Sequence, residues 1–85
     1  MSKRLLIIED DPDMVQAIEE AISGMGFFAH SIRDGKKGLE AAITEDYSLV
    51  VCDVNLPGLT GFEICKKLRE EKAQLPFLLK ICVIF

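Results

Sequence analysis

The chain has 85 residues, a net charge of −4, and 49% hydrophobic against 28% charged residues. That length holds one small domain, burying only a little over ~60% of the surface its unfolded form exposes. The acidic balance excludes a binder of phosphate backbones, which needs a basic face, so no nucleic-acid partner is expected.

The opening apolar run, Leu5-Leu6-Ile7-Ile8, ends abruptly in Glu9-Asp10-Asp11. It is too short for a secretory signal, and no run in the chain approaches the roughly 20 residues of a membrane span. A cytoplasmic location is therefore expected. A fully apolar run of this kind fits a strand buried on both faces, as in a parallel sheet. Asp11 followed by Pro12 predicts a helix start, with a capping carboxylate and proline at the first helical position. Val15, Ile18, Ile22 and Met25 carry the helical apolar spacing, and Gly24 with Gly26 supplies the stop.

Phe27 to Ile32 reads as a second strand, with His30 within it as a structural histidine. Arg33-Asp34-Gly35 is a turn, and Leu39, Ala42 and Ile43 mark a second helix. Tyr47 to Cys52 is a third strand and again ends on an acid, Asp53. Pro57, Gly58 and Gly61 hold a loop open. Phe62, Cys65 and Leu68 predict the inner face of a third helix, with Lys66 and Lys67 on its solvated side. Pro76 opens a fourth apolar run that continues to Phe85. Cys52, Cys65 and Cys82 are odd in number and widely spaced, which reads as small buried hydrophobes in a reducing compartment. The order β-α-β-α-β-α-β with short connections predicts parallel strands joined by right-handed crossovers, an α/β fold.

Two strands thus end in carboxylates. If the first and third strands are neighbours, Glu9, Asp10 and Asp53 converge on one pocket. Clustered carboxylates repel and favour a hard cation such as Mg²⁺, which takes oxygen ligands and keeps waters that a phosphate can replace. A carboxylate can also act as a nucleophile that forms an acyl phosphate.

Glu9-Asp10 at a strand end, together with Asp53-Val54-Asn55-Leu56-Pro57-Gly58-Leu59-Thr60-Gly61, resembles the signature of response-regulator receiver domains. These are the phosphate-accepting partners of sensor histidine kinases in two-component (phosphorelay) signalling. The stretch from Arg4 to Pro76 is similar to the first two-thirds of that family. The resemblance implies a flavodoxin-like parallel sheet, the receiver fold, incomplete over residues 1–85 as though cut short. It implies Asp53 as the phosphoacceptor, with Asp10 and Asp53 as Mg²⁺ ligands and Asn55 as a ligand through its backbone carbonyl. Glu9 would contact the ion indirectly or through a water, and Asp11 would cap the first helix. A domain of this kind is a phosphoacceptor substrate with some self-catalysis, not a conventional enzyme.

The pattern is departed from near the end. The family places a Thr or Ser at the end of its fourth strand, and here that position falls at about Ile81. The family's Lys at the end of a fifth strand has no counterpart, and Lys80 stands one place off. An apolar fourth strand at the sheet edge is expected to pair with another chain, giving a homo-oligomer. The alternative function is a degenerate remnant that self-associates without being switched. An aspartyl-phosphate phosphatase would need a second Asp where Asn55 stands, and a flavin domain would need a phosphate loop where Glu9-Asp10-Asp11 would repel one.

Overall fold

The structure is a computed structural model. It describes residues 3–54, 56, 59–72 and 77–80, the last four through their backbone alone. The chain alternates strand and helix in the order β1 (Arg4–Ile8), α1 (Pro12–Ile22), β2 (Phe28–Ile32), α2 (Gly35–Thr44), β3 (Leu49–Asp53), α3 (Gly61–Glu71) and β4 (Phe77–Lys80). All strand pairs are parallel, and the strands lie side by side as β2-β1-β3-β4.

Strand alternation sends neighbouring residues of β1 to opposite faces. Leu5 and Ile7 join Val51 in one cluster, against which Val15, Ile18 and Ile22 of α1 pack. Leu6 and Ile8 join Val50 and Cys52 in the other, beneath Ala41 and Ala42 of α2 and Ile64 and Leu68 of α3. All four apolar side chains of β1 have no exposed surface. Burial of each is worth about 1.5–3 kcal/mol, which is why a strand of only five residues holds the centre of the sheet.

The two faces are unequal. Helix α1 has no buried residue, whereas α2 buries Gly35, Gly38, Ala41 and Ala42, and α3 buries Gly61, Ile64 and Leu68. Helix α2 comes so close to β1 that a Cβ on Gly38 would lie 2.7 Å from Cγ2 of Ile8.

Several elements differ in detail from the sequence expectation. Helix α1 ends at Ile22, so Met25 lies beyond it and is 62% exposed. Gly24 and Gly26 do form the turn that follows, with φ of 87° and 86°, a region open to glycine at little cost. The inner face of α3 is Gly61, Ile64 and Leu68, and Phe62 faces solvent at 62% exposure. Tyr47 precedes β3 and is nevertheless buried.

Tyr47 also has company. Its hydroxyl lies 2.7 Å from Nδ1 of His30, a partner for that histidine which the sequence alone does not reveal. The Arg4 guanidinium lies 4.6 Å above the Tyr47 ring and donates to Oε1 of Glu45 at 2.7 Å. That hydrogen bond holds the Glu45 carboxyl below the usual carboxylate range. Arg4 begins β1, so this group fastens the end of the sheet opposite to the strand-end acids.

Candidate functional site

The strand order places β1 between β2 and β3, so the connections leaving β1 and β2 run to opposite sides of it. A crevice opens outside the carboxyl ends of strands at such a reversal. Ile8 pairs with Cys52, so the next residues along, Glu9 and Asp53, end adjacent strands at the same level. One carboxylate oxygen from each of Glu9, Asp10 and Asp53 lies within 4.8 Å of the others. The acids expected to converge are brought together. Asn55 lies outside the described residues, as do Pro57, Gly58, Ile81 and Cys82.

Local contacts fix each carboxylate differently. Glu9 is 3% exposed. Its amide donates to the Ile32 carbonyl at 3.1 Å, and its Oε2 accepts the Asp11 amide at 3.1 Å. Asp11 turns away from the cluster, and its Oδ1 accepts the Asp13 amide at 3.0 Å, capping α1. Asp10, between them, is exposed, and Asp53 is half-buried at the end of β3. The helix cap at Asp11 and the separate placement of Asp10 therefore come from one short turn.

Behind Asp53, Cys52 has no exposed surface, and its thiol donates to the Asp53 carbonyl at 3.3 Å. Burial, followed by the nearby Asp53 and Glu9 charges, pushes this thiol up to about 12. A thiol so reluctant to ionise is packing material rather than a nucleophile. Cys65, on α3, is half-buried.

The chain leaving Asp53 is tied down at its far end. The Gly61 amide donates to the Val54 carbonyl at 2.9 Å, and Leu56 packs into the core below α2 and α3. Thr60 caps α3 reciprocally with Glu63: its hydroxyl accepts the Glu63 amide at 3.2 Å, and Glu63 accepts the Thr60 amide at 3.0 Å. Sequence reasoning assigned neither residue a role. The spacing of Thr and Glu three residues apart, ahead of an apolar helix face, was the available signal.

Three carboxylates this close repel one another when no cation lies between them. Unit charges at such separations repel by on the order of 3 kcal/mol per pair where the effective dielectric is about 20. An all-oxygen, acid-rich donor set open to water on one side suits a hard divalent cation that retains part of its hydration, which fits Mg²⁺ better than a soft or thiophilic metal.

The comparisons with known proteins agree with this fold. A transcriptional regulatory protein, TcrA of Mycobacterium tuberculosis, is 37% identical over 76 residues, covering 89% of this chain and 30% of the relative. The alkaline phosphatase synthesis transcriptional regulatory protein PhoP of Bacillus subtilis is 35% identical over 79 residues, covering 93% of this chain and 33% of the relative. The chain thus spans about a third of the length of these curated relatives.

Among solved structures, the receiver domain of sensor histidine kinase PA1611 from Pseudomonas aeruginosa superposes with a TM-score of 0.83 at 22% identity. It covers 93% of this chain and 66% of that one, and carries a magnesium ion in its own active-site cleft. The chemotaxis response regulator CheY4 of Vibrio cholerae gives 0.82 at 25% identity, covering 93% and 68%. The family model described as the response regulator receiver domain matches residues 5–80, and with the parallel β2-β1-β3-β4 sheet and its strand-end acids, this chain belongs to that family.

Proposed function

We propose that this chain accepts a phosphoryl group on the Asp53 carboxylate from a sensor histidine kinase, assisted by Mg²⁺. The observation that carries this reading is the meeting of Glu9, Asp10 and Asp53 within 4.8 Å at the ends of adjacent parallel strands. Receiver domains as a family are signalling phosphoacceptors rather than classical enzymes. The response regulator TrrA has been crystallised in complex with the histidine kinase ThkA, which supports a partner of the same kind here.

Asp10, Asp53 and the Asn55 carbonyl would hold the ion, with Glu9 acting on it indirectly or through a water. Bound there, the ion neutralises the acids and the charge on the incoming phosphoryl oxygens. An Asp53 oxygen attacks phosphorus, an O–P bond forms, and the P–N bond to the kinase histidine breaks, leaving the imidazole with the electron pair. Glu9 keeps its carboxylate tied to the Asp11 amide, so Asp10 stays turned toward Asp53. A histidine-kinase partner accords with a cytoplasmic location, and no helix among the described residues is long and apolar enough to cross a membrane. Among the described strands β4 lies at the sheet edge, which supports pairing of that strand with another chain.

The second reading is a module that keeps its partners without being switched. The absence of any buried residue in α1 favours it, because a loosely covered face gives the pocket a less rigid floor.

Intact-mass measurement after incubation with a small phosphodonor and Mg²⁺ separates the two. Labelling of the native chain, and neither of Asp53→Asn nor of a chelator-treated sample, is the outcome expected of a phosphoacceptor. A folded chain that stays unlabelled would leave the second reading standing.

A further inference from the structure

We propose that the groove between α2 and α3 receives a second copy of this chain, the two copies being related by a two-fold axis that runs along the groove. The groove has a volume of about 630 Å³ and a floor of Leu39, Ile43 and Leu59, each half-buried. Its two rims carry charges of opposite order. On α2 the rim reads Lys36 then Glu40, and on α3 it reads Glu63 then Lys67, the second charge standing four positions after the first in each case.

Helices α2 and α3 run in the same direction, because each returns from the carboxyl end of one parallel strand to the start of the next on the same face of the sheet. With the axis along the groove, α2 of one copy lies over α3 of the other. Lys36 then meets the second copy's Glu63, and Glu40 meets the second copy's Lys67, each pair occurring twice. An axis across the groove would also pair opposite charges, setting Lys36 over the second copy's Glu40. It would separate the apolar floor, however. Leu59 lies at the level where α2 begins, close enough that a Cβ on Gly35 would sit 3.2 Å from Cβ of Leu59. An axis along the groove keeps that level and brings Leu59 toward the second copy's Leu39, one turn into α2. An axis across it would carry Leu59 to the far end, beside the charged side of α3. Among the described residues Lys36, Glu40 and Lys67 make no ion pair within 4 Å in their own chain, and Lys67 acts only through space on Glu63, so all three can still meet a partner's charges.

The apolar floor supplies non-directional attraction, and the rim charges select a copy of the same chain. A contact of this size is weak and transient, and its exposed charge pairs are screened by salt. This surface is independent of both the β4 edge and the acid cluster.

Sedimentation equilibrium at low ionic strength tests it with Glu40→Lys and Lys67→Glu. Both positions are exposed, and neither side chain takes part in a helix cap, so circular dichroism and Asp53 labelling should match the parent. Each variant alone places like charges together twice and should weaken self-association about tenfold. In an equimolar mixture, the lysine introduced at position 40 of one variant faces the glutamate introduced at position 67 of the other. The unchanged Lys67 and Glu40 face each other in the same complex, so every pair is again of opposite sign. The mixed complex should form to within about twofold of the parent. With the axis across the groove, the mixture would keep two like-charge pairs and stay weak. The proposal is overturned if the parent is monomeric at about 1 mM. It is equally overturned if the single variants associate as the parent does, or if the mixture fails to recover. Unchanged association in every sample would assign the contact to another surface, such as the β4 edge.

Discussion

Asp10 is the exposed member of a cluster whose other carboxylates are fixed by β1 and β3, and this makes it the cleanest place to separate repulsion from cation binding. Asp10→Asn removes one charge without changing size. In the absence of divalent ions the variant should melt a few degrees above the parent, since part of the mutual repulsion is gone. The parent alone should gain markedly from Mg²⁺. A ligand at tenfold over its dissociation constant adds about 1.4 kcal/mol, and a cluster reduced to two carboxylates forfeits most of that. Melting curves with and without Mg²⁺ check both halves, and a variant less stable than the parent without the ion would contradict the repulsion account. Cys52 behaves differently although it adjoins Asp53. With its ionisation pushed up to about 12 by burial, it contributes volume to the core, and its side chain belongs with Leu6, Ile8 and Val50.

Helix α2 owes its position to Gly38, and this is an element-scale matter of how near two backbones can come. In Gly38→Ala the new methyl would meet three Ile8 side-chain atoms at 2.7 to 2.9 Å. Ile8 is fully buried and branched at Cβ, so it has little room to turn away. Overpacking costs about 1–3 kcal/mol, while replacing a mid-helix glycine by alanine returns about 1 kcal/mol of helix propensity. The net expectation is a destabilisation of about 1 kcal/mol by urea titration; a more stable variant would show that α2 can lift away at no cost. The order and type of the seven elements were legible because Leu5–Ile8 and Leu49–Cys52 are apolar at every position, a pattern that suits a central parallel strand. So was the meeting of Glu9, Asp10 and Asp53, which follows once those two runs are neighbours. The choice of α3's inner face was not. Phe62-Cys65-Leu68 and Gly61-Ile64-Leu68 share Leu68 and both keep helical spacing, and only packing against Cys52 and Ala42 selects the second. Strand β2 was legible as a strand, but its exposure was not. At the sheet edge its residues are largely exposed, Phe28 at 75%, so apolar composition there did not mean burial.

At the scale of the whole molecule, the imbalance between the faces governs where the chain opens first. Helix α1 holds Val15, Ile18 and Ile22 only half-buried over Leu5, Ile7 and Val51, while α2 and α3 share a ten-residue buried cluster with β1 and β3. Amide hydrogen exchange should therefore rank α1 least protected of the three helices and β1 most protected of the strands, with a difference of at least about tenfold in rate between α1 and α3. Equal protection of all three helices would mean that the sheet and its helices open only together. The parallel pairing of β1 with β3 has a consequence for synthesis as well. Leu5–Ile8 leaves the ribosome well before its second neighbour, which begins only at Leu49, so α1, β2 and α2 must all emerge before that strand is flanked on both sides. Until then Glu9 and Asp10 have no Asp53 to meet. The gathering of the three acids thus happens at one moment, when the third strand docks.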